Sequence, residues 1–98
     1  MKLLELIKEV DEKGLSKEQL EGYHTALASL FSQMQIELAG VRKLKAVYFI
    51  EKREKTDIAT ERNWQVTTEG QREIELSHYS KAAEKILSSL KSRLYSIY

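Results

Sequence analysis

Residues 16–55 contain no proline and place an apolar residue at every seventh position: Leu20, Leu27, Met34, Val41 and Tyr48. Tyr23, Leu30, Phe31, Leu38 and Leu44 fill the intervening turns. Apolar side chains three and four apart share one side of an α-helix, so the spacing predicts one amphipathic helix with a buried stripe. At about 1.5 Å per residue, roughly 38 residues make a rod of nearly 60 Å. That is longer than a compact domain of this size needs, so something must cover the stripe.

The start of the rod is written in the sequence. Ser16-Lys17-Glu18-Gln19 is a capping box, in which the Ser16 hydroxyl accepts from the Gln19 backbone N–H and the Gln19 side chain reaches back. Leu15 and Leu20 flank it as a hydrophobic staple. Glu18 and Glu21 suit the positive end of the helix dipole, and Lys52, Arg53 and Lys55 the negative end. Upstream, residues 2–13 predict a short helix with Leu3, Leu6, Ile7 and Val10 inward, stopped by Gly14 in the left-handed conformation. Its polar side mixes Lys2 and Lys8 with Glu5, Glu9 and Glu12, which fits packing against the rod better than a membrane surface. Gly22 and Gly40 each cost the rod about 1 kcal/mol relative to Ala. They either admit a neighbouring helix or lie on a wet face.

Downstream, Thr56-Asp57 is a second start signal, and residues 57–64 read as a two-turn helix with Ile58, Ala59 and Trp64 as its apolar members. Thr68-Glu69-Gly70-Gln71 repeats the capping-box pattern and opens a last helix to the C-terminus, with Leu76, Tyr79, Ala83, Ile86, Leu87, Leu90, Leu94 and Ile97 at helical spacing. The expected fold is all-α: an antiparallel hairpin of two long helices, with a short N-terminal helix and a short helix at the tip. The 98 residues form one domain. A lone hairpin leaves part of each stripe wet, so a homodimer in a four-helix arrangement is expected.

Composition narrows function by exclusion. Sixteen basic and fifteen acidic residues give a net charge of +1, which is no whole-chain footprint for nucleic acid. There is no cysteine, hence no thiolate chemistry. MKLLELIKEV is interrupted by charge and does not read as a signal peptide, and no run approaches a membrane span; a cytoplasmic protein is expected. His24 and His78 are the only histidines. A metal site from Glu73, Glu75 and His78 would need assembly across subunits, and the ordinary reading is two helix histidines. No cofactor is implied. There is no glycine-rich phosphate loop or strand-turn-helix elbow, so an enzyme is not expected.

Two local features remain. Residues 42–55 carry Arg42, Lys43, Lys45, Lys52, Arg53 and Lys55 against Glu51 and Glu54, with Tyr48 and Phe49 between them. This is a candidate phosphate-binding patch with aromatics for base stacking. Residues 57–75 carry a compensating acidic excess and would face the run across the hairpin tip, making an ion-paired, solvated face the competing reading. Lys81, Lys85, Lys91 and Arg93 form a second basic run on the last helix. Trp64 is a candidate partner-binding anchor if exposed, or a plug against Phe49, Ile50 or Ile74 if packed.

From about Lys45 onward, KREKTDIATERNWQ and EGQREIELSHYSKAAEKILSSLKSRL, together about half of the chain, resemble small uncharacterised bacteriophage proteins that form helical hairpins and are often encoded among replication and recombination genes. The resemblance implies a phage origin and expression in the bacterial cytoplasm, and it carries no functional residue across. The expectation is a non-catalytic dimer that binds a host or phage protein. The alternatives are an anti-defence inhibitor of a bacterial immune enzyme and a direct DNA-binding protein.

Overall fold

The computed structural model describes residues 2–10 and 14–97. Four helices follow one another: α1 (Lys2–Val10), α2 (Lys17–Glu51), α3 (Asp57–Gln65) and α4 (Thr68–Ile97). No strand occurs among the described residues, and the protein is all-α. The molecule measures 56 × 19 × 18 Å with a radius of gyration of 17.6 Å. A compact chain of this length would have a radius near 13 Å. The 35-residue α2 sets the long dimension.

α2 packs most extensively on α4, and α1 touches both. Leu20, Leu27, Met34, Leu38 and Val41 of α2 are buried together with Leu76, Ala83 and Leu90 of α4, and Leu3 and Val10 of α1 extend the core. Along α2 the inward positions are 20, 24, 27, 31, 34, 38, 41, 45 and 48, spaced alternately four and three, the 3.5-residue period of helices that pack side by side. On α4 the buried residues Leu76, Ser80, Ala83 and Leu90 and the half-buried Leu87 repeat the spacing. Ser80 is the odd member: its hydroxyl is buried without a hydrogen-bond partner among the described residues. Leu44, counted from sequence in the buried stripe, is 54 % exposed. It lies one turn before Tyr48 but rotated away from α4.

The first cap is as the sequence describes it. Ser16 Oγ accepts the Gln19 N–H at 3.2 Å, and the Ser16 N–H donates to Gln19 Oε1 at 2.8 Å. Gly14 has φ +80°, the left-handed region glycine favours, while residues 11–13 of the expected first helix lie outside the described residues.

Three expectations need correcting. First, α2 stops at Glu51, with Lys52 as its C-cap, so Arg53 and Lys55 fall beyond the helix. The chain is turned there by Thr60, whose Oγ1 accepts the Glu54 N–H at 3.0 Å and donates to the Thr56 carbonyl at 3.0 Å. Thr56 in turn caps α3 by accepting the Ala59 N–H at 3.1 Å.

Second, α4 is started by Thr67 and not by Thr68. Thr67 Oγ1 accepts the Gly70 N–H at 2.9 Å while donating to the Trp64 carbonyl at 2.6 Å. The Gln71 side chain donates to the Gln65 carbonyl and closes no capping box. Gly70 makes this joint possible: a Cβ there would lie 1.9 Å from the Trp64 carbonyl oxygen.

Third, Ile50 and Ile74, expected beside Trp64, are themselves exposed, while Trp64 is buried as a plug. It packs on Tyr48, ring centroids 5.4 Å apart and tilted by 60°.

Candidate binding surface

The charged residues singled out in 42–55 do not form one patch. Lys45 occupies an inward position between Val41 and Tyr48, and its side chain is 25 % exposed. An ammonium so placed needs partners, and two carboxylates provide them: Lys45 Nζ donates to Glu61 Oε1 at 2.9 Å and to Glu73 Oε1 at 3.3 Å. Burial pulls the Lys45 pKa down, but hydrogen bonds and charge from Glu61 and Glu73 outweigh it and hold the pKa above its ordinary value. Lys45 Nζ also stands 5.9 Å from the Phe49 ring centroid.

Glu73, 13 % exposed, is the hub. Its Oε1 also accepts Trp64 Nε1–H at 3.0 Å, and its Oε2 lies 3.6 Å from Arg42 Nε. One carboxylate thus ties α2, α3 and α4 together, and with it the indole is satisfied and 2 % exposed. Trp64 is the packed plug at this end of the molecule and leaves no exposed anchor.

Of the remaining cations, Arg53 pairs with Asp57 at 3.1 Å. Lys43, Lys52 and Lys55 are exposed and have no ion pair among the described residues. Further along, Arg72 bridges Glu37 and Glu75. The Arg72 hydrogen bond, and then its charge, hold the Glu37 carboxyl below the usual carboxylate range, with burial working in the opposite direction. The acidic excess of 57–75 therefore engages Arg42, Lys45 and Arg53, which sequence could pair only by stretch. Glu61 and Glu73 were missed as the partners of Lys45, Glu73 having been weighed only as a metal ligand. The available signal was Lys45 itself, a cation four after Val41 and three before Tyr48, which places it on the inner face.

His78 is exposed and His24 half-buried. Among the described residues no group of three His, Cys, Asp or Glu is placed to hold a metal ion, and no helix is long and apolar enough to cross a membrane.

A different surface emerges on α2. Positions 22, 26, 29, 33, 36, 40, 43, 47 and 50 are spaced alternately four and three, two residues out of phase with the inward set. Two residues turn an α-helix by about 200°, so this second row lies opposite the core. Its large apolar members are Ile36 (74 % exposed), Val47 (49 %) and Ile50 (82 %), with Leu44 at its edge. At the other end the row runs into a groove of about 350 Å³, open to solvent and lined by Glu5, Leu6 and Glu9 of α1 and Ala26, Ser29 and Leu30 of α2. Gly22 and Gly40 lie on this row, and a Cβ at either meets nothing within 4 Å.

Comparison with known proteins finds no family model, no curated protein and no solved structure that matches this chain.

Proposed function

We propose that this protein is a non-catalytic binding factor whose docking surface is the outer face of α2. The observation that carries it is the row of Ile36, Leu44, Val47 and Ile50, exposed on the side of α2 turned away from α4. Fully burying one such side chain contributes about 1.5–3 kcal/mol, and several large apolar side chains exposed on one helix face are what an association site offers. The two long helices are proposed to run antiparallel as a hairpin. Supporting this, Glu37 reaches Arg72 and Tyr48 reaches Trp64, while the Val10 carbonyl accepts from Arg93 Nη1 at 2.7 Å. A role without catalysis is supported by the way the ionisable groups at the α2–α3–α4 junction are consumed in pairs with one another. A phage accessory role in replication or recombination rests on the sequence resemblance alone, as does inhibition of a bacterial immune enzyme.

The test is capture from a bacterial lysate by the immobilised chain and by the Ile36→Glu/Ile50→Glu variant. A protein bound by the first and lost with the second supports the reading, and its identity separates a replication protein from a defence nuclease. Identical capture by both chains, with neither self-associating through this face, refutes it. DNA binding through Arg42, Lys43, Lys45, Lys52, Arg53 and Lys55 keeps Lys43, Lys52 and Lys55 as its unpaired cations. It predicts a mobility shift at about 50 mM salt that weakens steeply as salt rises. No shift at that salt removes it.

A further inference from the structure

The outer face of α2 has the shape and charge to receive itself. Resting on the proposal that this face is a docking surface, we infer that its occupant is a second copy of the chain, laid antiparallel along α2 with Ile36 against the partner's Gly40.

That register sets the large members of the row on the small ones. Ile36 meets Gly40, Val47 meets Ser29, Ile50 meets Ala26, and Gln33 meets Lys43, each pair occurring twice about a two-fold axis. Gly40 has open space where a Cβ would stand, so the Ile36 side chain can approach the partner backbone there. Ile50, the most exposed large apolar residue of α2, enters the groove floored by Leu6, Ala26 and Leu30. Shifting the register by seven residues sets Ile50 on Gln33 or Gln19 instead and leaves the groove unfilled. A parallel pairing stacks Ile36 on Ile36 and Val47 on Val47, and spaces the opposite half around Gly22 and Ala26 too widely to pack.

Charge selects the same orientation. Around the end of α2 that carries Ile50, Lys43 on the helix, Lys52 at its cap and Lys55 just beyond it are free of ion pairs among the described residues and outnumber the exposed Glu51 and Glu54. The groove it would enter has Glu5 and Glu9 on its lip. Antiparallel pairing brings unlike ends together, whereas parallel pairing sets the two basic ends side by side. The area is available: the chain exposes 6963 Å², against about 5,800 Å² for a compact monomer of its mass.

The chain has no cysteine, so introduced thiols report the geometry cleanly. Ser29→Cys and Val47→Cys chains are prepared separately, then mixed and oxidised. In the inferred register the two thiols adjoin in the mixed dimer and form a disulfide. Neither variant cross-links to itself, because its two copies of the thiol stand about 27 Å apart along the axis. Light scattering of the unmodified chain at about 100 μM gives twice the 11.4 kDa chain mass, and Ile50→Glu raises the dissociation constant roughly 100-fold or more with the helical circular dichroism unchanged. Self-cross-linking of either variant alone overturns the antiparallel register. A dimer untouched by Ile50→Glu overturns the choice of face. A monomer mass throughout overturns the second copy as occupant but leaves the docking-face proposal standing, since that fails only if lysate capture ignores the same substitutions.

Discussion

Replacing Gly70 by alanine is expected to unlatch the joint between α3 and α4. The new Cβ would lie 1.9 Å from the Trp64 carbonyl oxygen, 2.7 Å from its carbonyl carbon and 2.9 Å from Gln65 Cα. The first of these is about 1.5 Å short of a van der Waals contact, and all three atoms are backbone, which cannot rotate aside. The joint must open, and three hydrogen bonds converge on it. The Thr67 hydroxyl and N–H both donate to the Trp64 carbonyl, and the Gly70 N–H donates to Thr67 Oγ1. At about 1 kcal/mol each their loss is about 3 kcal/mol, offset by about 1 kcal/mol of helix propensity gained by alanine. A net loss of about 2 kcal/mol lowers the melting temperature of a domain this size by roughly 10 °C. Gly22→Ala is the matched control, because its Cβ meets nothing within 4 Å and should stabilise by about 1 kcal/mol. Urea melts followed by circular dichroism compare the two, and the fluorescence of Trp64, the single tryptophan, reports the joint directly. If Gly70→Ala proves as stable as Gly22→Ala with unchanged emission, the steric account of the joint is wrong.

Ser80→Ala should be neutral to stabilising by about 1 kcal/mol, because it deletes a buried hydroxyl without a partner; a clear loss in a urea melt would show an unrecognised hydrogen bond. Glu73→Gln should cost about 1–2 kcal/mol and red-shift Trp64 emission, since it removes the charge that holds Lys45 while Glu61 remains to compensate in part. Glu37 has a folded pKa below its ordinary 4.5, so its contribution to stability is present above that value and is lost as pH falls through the lower folded value. Glu37→Gln should therefore flatten the loss of stability on acidification, measured as urea midpoints across the acid range. Lys45 has the opposite sign: its folded pKa lies above 10.5, so its contribution is complete below that value and is lost as pH rises through the folded value. Lys45→Met should flatten the alkaline limb of the same titration.

Much of the architecture is legible from local rules. The number of helices, the Ser16 cap and the short Asp57 helix follow from spacing and cap chemistry. These signals depend on residues within a turn or two of one another. The misreadings occur where a choice between adjacent residues is settled at longer range. Thr67 and Thr68 are equivalent as caps on local grounds, and the position of the Trp64 carbonyl selects Thr67. Leu44 and Lys45 are neighbours, and the leucine belongs inside by hydropathy. Instead α4 and α3 present Glu73 and Glu61, so the cation is drawn inward and the leucine faces water.

By itself the sequence determined that this chain is a set of amphipathic helices with one long rod at its centre, because side-chain periodicity records helix geometry directly. Tertiary structure alone decided which cations are spent on carboxylates, what Trp64 rests on, and that α2 carries a second apolar row turned away from the core. Those outcomes depend on pairings between residues dozens of positions apart, and periodicity along one helix holds no information about what stands across from it.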